Sequence, residues 1–71
     1  MMKIALLGYG KMGKVIEEIA LSRGHEIILK KNKDDSFEGI ERADIAIDFS
    51  VPSAAFKNIS TALNQNIPVI S

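Results

Sequence analysis

The chain of 71 residues has no cysteine and no tryptophan, and only two prolines, one histidine and one tyrosine. Without cysteine there is no disulfide framework and no thiolate-held metal, and a reducing compartment is the simpler setting. No metal site is expected. Excess charge of either sign is also missing: nine Lys and Arg balance nine Asp and Glu. No global field therefore draws the chain to nucleic acid or to an anionic membrane, and any anion site must be local. Long hydrophobic runs are absent too, none approaching the roughly 20 residues that span a bilayer. The segment Met1-Met2-Lys3-Ile4-Ala5-Leu6-Leu7 is not followed by the small-residue cleavage site of a secretory leader. The expectation is a cytoplasmic protein without nucleic-acid or membrane partners.

What is present is an alternation of two hydrophobic periods. Ile4 to Leu7 is a continuous apolar run ending at Gly8, the pattern of a strand buried on both faces. From Met12 the period changes, with Met12, Val15, Ile16, Ile19 and Ala20 on one helical stripe and Gly24 as the stop. Glu26 to Leu29 reads as a second strand and Lys30 to Asp35 as a charged loop. Ser36 to Arg42, with Phe37 and Ile40 at helical spacing, predicts one turn packed on the sheet. Ile45 to Phe49 is a third strand. Pro52 suits a first helical position, and Ala55, Phe56, Ile59, Ala62 and Leu63 form a second stripe ending near Asn64 to Asn66. Ile67 to Ser71 opens a fourth strand.

Strands alternating with helices predict a parallel sheet covered on both faces, and right-handed crossovers make it doubly wound α/β. Residues 1–71 allow one small domain, since a chain of about 60 residues buries only about 60% of its unfolded surface. The end at Ser71 falls inside an apolar strand, where a polar, fraying terminus is the norm. The expectation is the first half of a Rossmann-like sheet, with about four strands and two long helices.

Gly8-Tyr9-Gly10-Lys11-Met12-Gly13 matches G-x-G-x-x-G between a predicted strand and a predicted helix. In that setting Gly8 permits the tight turn, Gly10 lets backbone approach a pyrophosphate, and Gly13 lets helix and strand pack closely. The helix start then offers free N–H groups and the positive end of its dipole. Lys11 adds a possible phosphate cation, and Tyr9 and Met12 possible walls, with Met12 also on the core stripe. At the end of the second strand an acidic residue would hold the ribose 2′-hydroxyl of NAD, and basic residues the 2′-phosphate of NADP. Lys30 and Lys31 stand there, which favours NADP over NAD. His25, at the mouth of the second strand, reads as a surface turn residue.

At the carboxyl end of the third strand, Asp48-Phe49-Ser50-Val51-Pro52-Ser53 brings an acid, an aromatic and a hydroxyl to the edge where ligands bind in open α/β sheets. By itself this reads as Asp48 capping a turn and Phe49 in the core. Together, "KIALLGYGKMGK", "DIAIDFSVPSAA" and "NIPVIS" resemble the N-terminal part of the dihydrodipicolinate reductase family, also called 4-hydroxy-tetrahydrodipicolinate reductase, along all 71 residues. The resemblance implies an NAD(P)H-dependent oxidoreductase of lysine and diaminopimelate synthesis. It implies that Gly8 to Gly13 hold the pyrophosphate, that Lys11 fills a commonly basic position, and that Phe49, Ser50 and Val51 line the cofactor towards its nicotinamide half. It implies also that the catalytic and substrate-binding residues, and a homotetramer interface, lie in a further domain, so that no catalytic residue is expected here.

Two departures from the family pattern are the lysines where an acid often stands and a short connector between the second and third strands. The chain alone is expected to be inactive, and to self-associate through its exposed fourth strand. A stand-alone NAD(P)-sensing module is the alternative from another class. A different reductase of the same fold, acting on pyrroline carboxylate or a β-hydroxyacid, fits Ser50 to Ala55 less well.

Overall fold

The computed structural model describes residues 1–32 and 34–71. Lys33, part of the expected charged loop, lies outside the described residues. The element order is β1 (Lys3–Leu7), α1 (Lys11–Ser22), β2 (Glu26–Lys31), a single 3-10 turn (Ile40–Arg42), β3 (Ile45–Asp48), α2 (Pro52–Asn64) and β4 (Val69–Ile70). All strand pairs are parallel, in the order β2-β1-β3-β4. This is a Rossmann-like half, with the chain leaving β1 towards one edge and β3 towards the other.

The central strand sets the layers. Successive side chains of a strand point to opposite faces, so Ile4 and Leu6 pack with Ile16 and Ala20 of α1, whereas Ala5 and Leu7 join Ala62 of α2, Ile40 and Ala43. The 3-10 turn falls inside the segment expected to form one turn on the sheet, and it replaces a full helix in the β2 to β3 crossover. No strand lies in that crossover among the described residues.

β2 runs two residues further than its apolar pattern suggests, and it carries an irregularity. Ile4 pairs with Ile27 but Ala5 pairs with Leu29, so Ile28 is an extra residue opposite β1. A bulge of this kind shifts the alternation by one. Downstream of it, Lys30 points to the α1 face, where it meets Glu17, and Lys31 to the opposite face, where it meets Phe37.

Both helix ends are closed by a left-handed residue. After α1, Gly24 has φ +82°, its N–H donates to Leu21 (3.1 Å), and the next N–H, of His25, reaches back to Ala20 (3.0 Å). Asn66, φ 61°, does the same after α2, with the N–H of Ile67 reaching Ala62 at 2.9 Å. These pairs satisfy carbonyls that a helix end otherwise leaves open. A Cβ at Gly24 would meet nothing within 4 Å, so Gly24→Ala incurs only the backbone strain. An urea melt should show a loss of about 1–2 kcal/mol.

Helix rotation departs from the expected stripes. On α1, Met12 is 58% exposed, and Val15 and Ile19 are also outward, while Gly13 and Ala20 are buried. Met12 is therefore not a core residue. The cause is Gly13, whose hydrogen faces the Tyr9 ring and the Gly8 carbonyl; that close approach fixes which side of α1 touches the sheet. On α2, Phe56 is 83% exposed and Leu63 outward, while Asn58 and Ala62 are buried. A polar residue, drawn in by Asp48, occupies the inner row.

Candidate functional site

The glycine turn hangs between two strand ends. The N–H groups of Gly8 and Tyr9 both donate to the Lys31 carbonyl at the end of β2, at 2.7 and 3.3 Å. On the other side Gly8, with φ +86°, lies so close to the β3–α2 turn that a Cβ would stand 2.6 Å from Ser50 N and 2.9 Å from the Phe49 carbonyl carbon. Gly10 differs from both its companions, because a Cβ there would meet nothing within 4 Å. Its backbone faces open space.

That space is the start of α1. Gly10 is the N-cap and no side chain caps the helix. The first bond of the ladder runs from Lys14 N–H to the Gly10 carbonyl at 3.0 Å, which leaves the N–H groups of Lys11, Met12 and Gly13 ahead of it. Free N–H groups together with the positive end of the helix dipole make a terminus of a kind suited to an anion. α2 begins alongside, capped by Val51 without a side-chain bond and with Pro52 in its first turn. Both helix starts meet where β1 and β3 send their crossovers in opposite directions, the position at which open α/β sheets bind ligands.

An open cleft of about 870 Å³ lies there. Of the residues singled out in the sequence, Gly8, Gly10, Lys31, Phe49, Ser50 and Val51 line it. Lys31 is 6% exposed; its ammonium bonds the Asn32 carbonyl at 3.1 Å and lies 4.4 Å from the centre of the Phe37 ring. Among the described residues it has no carboxylate partner, the one ion pair being Lys30 with Glu17 at 3.2 Å.

The others are held elsewhere. Tyr9 turns away over α1, where its hydroxyl donates to Glu17, and Lys30 sits 5.4 Å from its ring centre. The Tyr9 hydroxyl, and then Lys30, hold the Glu17 carboxyl below its ordinary range, while the same hydrogen bond raises the Tyr9 hydroxyl. Lys30 is thus committed to the α1 face. Lys11 and Met12 are exposed on the first turn of α1 and Gly13 is buried under Tyr9, none of the three lining the cleft. His25 is half-buried, with Nδ1 accepting from Met2 N–H at 3.0 Å.

Asp48 caps its own turn. Its Oδ1 accepts from Ser50 N–H (3.3 Å), Ser50 Oγ (2.5 Å) and Asn58 Nδ2 (3.3 Å), and Phe49 packs in the α1-side core while also reaching the cleft. Sequence reading gave Phe37 only a packing role and passed over Lys57 and Asn58; all three line the cleft. Asn58 was detectable as a polar interruption facing inward on α2; Lys57 carried no signal. Among the described residues no group of acidic or histidine side chains could hold a metal, and no helix is long and apolar enough to cross a membrane.

Comparison with known proteins agrees with this geometry. Residues 2–71 match the sequence family described as "Dihydrodipicolinate reductase, N-terminus". A 4-hydroxy-tetrahydrodipicolinate reductase of Christiangramia forsetii is 53% identical over 72 residues, covering 99% of this chain and 30% of that protein. Proteins of the same name from Staphylococcus carnosus (44% over 61 residues) and Staphylococcus haemolyticus (39% over 66 residues) match 72% and 78% of the chain. The chain spans only 25% to 30% of the length of these relatives. With nearly every residue inside the matched region, the chain belongs to the dihydrodipicolinate reductase family and corresponds to its N-terminal part.

Proposed function

We propose that this chain is the dinucleotide-binding portion of an NAD(P)H-dependent reductase acting on 4-hydroxy-tetrahydrodipicolinate in lysine and diaminopimelate synthesis. The carrying observation is the coincidence of open space over Gly10 with an uncapped α1 start at the sheet's switch point. A side chain at Gly10 would fill the place where phosphate oxygens approach the N–H groups of Lys11 to Gly13, so these residues fit a pyrophosphate. The bound dinucleotide supplies a hydride.

This chain's own residues bind and orient. The α1 terminus takes the pyrophosphate, Lys31 at the end of β2 meets the 2′-phosphate of the adenosine half, and the turn Phe49 to Val51 lines the other half. Lys11, exposed beside the terminus, adds positive charge near the phosphates. Residues that bind the substrate and protonate it belong to the part of the protein outside this chain. The intact protein is therefore expected to oxidise NADPH with 4-hydroxy-tetrahydrodipicolinate, and the 71-residue chain not to; turnover by the chain alone would contradict this assignment.

A 2′-phosphate at Lys31 favours NADPH over NADH, and the opposite orientations of the two lysines make that testable. In the intact protein Lys31→Glu should shift the ratio of NADPH to NADH affinity by about tenfold or more towards NADH, the scale of one lost charge-assisted contact. Lys30→Glu should leave the ratio within about twofold, since its partner is Glu17. Fluorescence titration with each cofactor measures both. An unchanged ratio in Lys31→Glu removes that residue from the cofactor site.

A further inference from the structure

We infer that Asp48 is the positioning residue of the cleft, acting on a bound dinucleotide through Ser50 and Asn58 without touching it; this rests on the dinucleotide reading above. Asp48 ends β3 on the α2 face, following Ala46, which is fully buried in the α2-side core. Only 8% exposed, it puts a carboxylate where an apolar side chain would continue the pattern. Such a group is tolerated when its oxygen is supplied with donors. All three donors go to one atom, Oδ1, two of them from Ser50 and one from Asn58.

The three residues close a ring that spans the end of β3, the turn and the second turn of α2. Ser50 and Asn58 line the cleft, and Asp48 does not. The same Ser50 backbone stands against Gly8, and Phe49 N–H donates to the Leu7 carbonyl at 2.7 Å. Oδ1 thus sets how far the β3–α2 turn stands from the glycine turn, and so the width of the cleft across the β1–β3 junction. Loss of Oδ1 frees Ser50 Oγ and the Asn58 amide, and leaves the Phe49 bond to Leu7 as the hydrogen bond that ties the turn to β1. In a dinucleotide lying across the switch point, the adenosine half rests at β2 and the other half on the β3 side. Only the second half depends on the turn.

The test uses the intact protein with two probes, NADPH and 2′,5′-ADP, the latter carrying the adenosine half alone, titrated calorimetrically. Asp48→Ala should weaken NADPH by about tenfold while 2′,5′-ADP stays within about twofold, as the loss of a hydrogen-bonded support predicts. Asp48→Asn keeps Oδ1 as an acceptor and should bind NADPH within about threefold of the parent. Ser50→Ala, which removes one donor and leaves the carboxylate with two, should fall between them and carries the test with Asp48→Asn if the alanine variant at 48 does not fold. Equal loss of both probes marks a purely structural role and overturns the inference, as does parental NADPH affinity in Asp48→Ala or Ser50→Ala, or a loss in Asp48→Asn as large as in Asp48→Ala. A parent protein that binds NADH but neither probe is tested in the same way with NADH and 5′-AMP, and one that binds no dinucleotide overturns the dinucleotide reading itself and the inference with it; a parent that binds, with Asp48→Ala and Ser50→Ala at its affinity, overturns the inference alone.

Discussion

Gly8→Ala should lower the stability of the intact protein's cofactor domain by about 3–5 kcal/mol, the largest loss expected from any single methyl group in this chain. Two costs combine. A φ of +86° is unfavourable for a residue with a Cβ, by about 1–2 kcal/mol. The added carbon also falls 2.6 Å from Ser50 N, 2.7 Å from Ser50 Cα and 2.9 Å from the Phe49 carbonyl carbon. These are backbone atoms, and they cannot swing aside as a side-chain tip can. They are held in turn by Phe49 N–H to Leu7 and by Asp48. Relief would require moving the β3–α2 turn off the sheet edge. Gly24→Ala, with a similar φ and free space around it, is the control that isolates the backbone term. Urea midpoints that placed the two variants within about 1 kcal/mol of each other would show that the close approach at Gly8 carries little weight.

Gly10→Glu should do the reverse, removing cofactor affinity by at least about a hundredfold while leaving the fold intact or slightly more stable. At φ −118° the backbone accepts a side chain, and nothing stands within 4 Å of the new Cβ. A carboxylate beside the uncapped start of α1 interacts favourably with the helix dipole, by about 0.3–1 kcal/mol. The same carboxylate would occupy the proposed pyrophosphate position and repel its charge. The signature is a melting temperature that holds or rises together with a lost NADPH titration. Retained NADPH binding would move the phosphates away from α1, and a stability loss like that of Gly8→Ala would mean the space over Gly10 is not open.

Much of this was legible because the sequence marks its own transitions. The glycine spacing announced a turn between strand and helix, and each glycine meets a different local demand: a left-handed φ against backbone at Gly8, open space at Gly10, contact with Tyr9 at Gly13. Pro52 and the polar Asn64-Gln65-Asn66 run bounded α2 because they act locally. Rotation about a helix axis is not local. A periodic stripe containing Met12, Val15 and Ile19 looked like a core face, but glycine contributes nothing to hydrophobic periodicity even where its contact decides the orientation. Phe56 failed in the same way, because the buried row on α2 is chosen by the hydrogen bond between Asn58 and Asp48. The site was missed where its side chains come from distant segments: Phe37 and Lys57 line one cleft because the segment that enters the 3-10 turn and α2 pack on the same face of the sheet.

The extra residue at Ile28 turns the proposed nucleotide preference into a question of counting. Two adjacent lysines are chemically the same, and what distinguishes the one under the cleft from the one beside Glu17 is the parity of the residues between them and the strand's entry. Straightening the strand with every residue kept would exchange their places, whereas deleting Ile28 would only remove the bulge and leave Lys30 opposite Leu6. A relative whose second strand has the same length but no bulge would carry its last two positions on exchanged faces, so strand face matters there as much as alignment position.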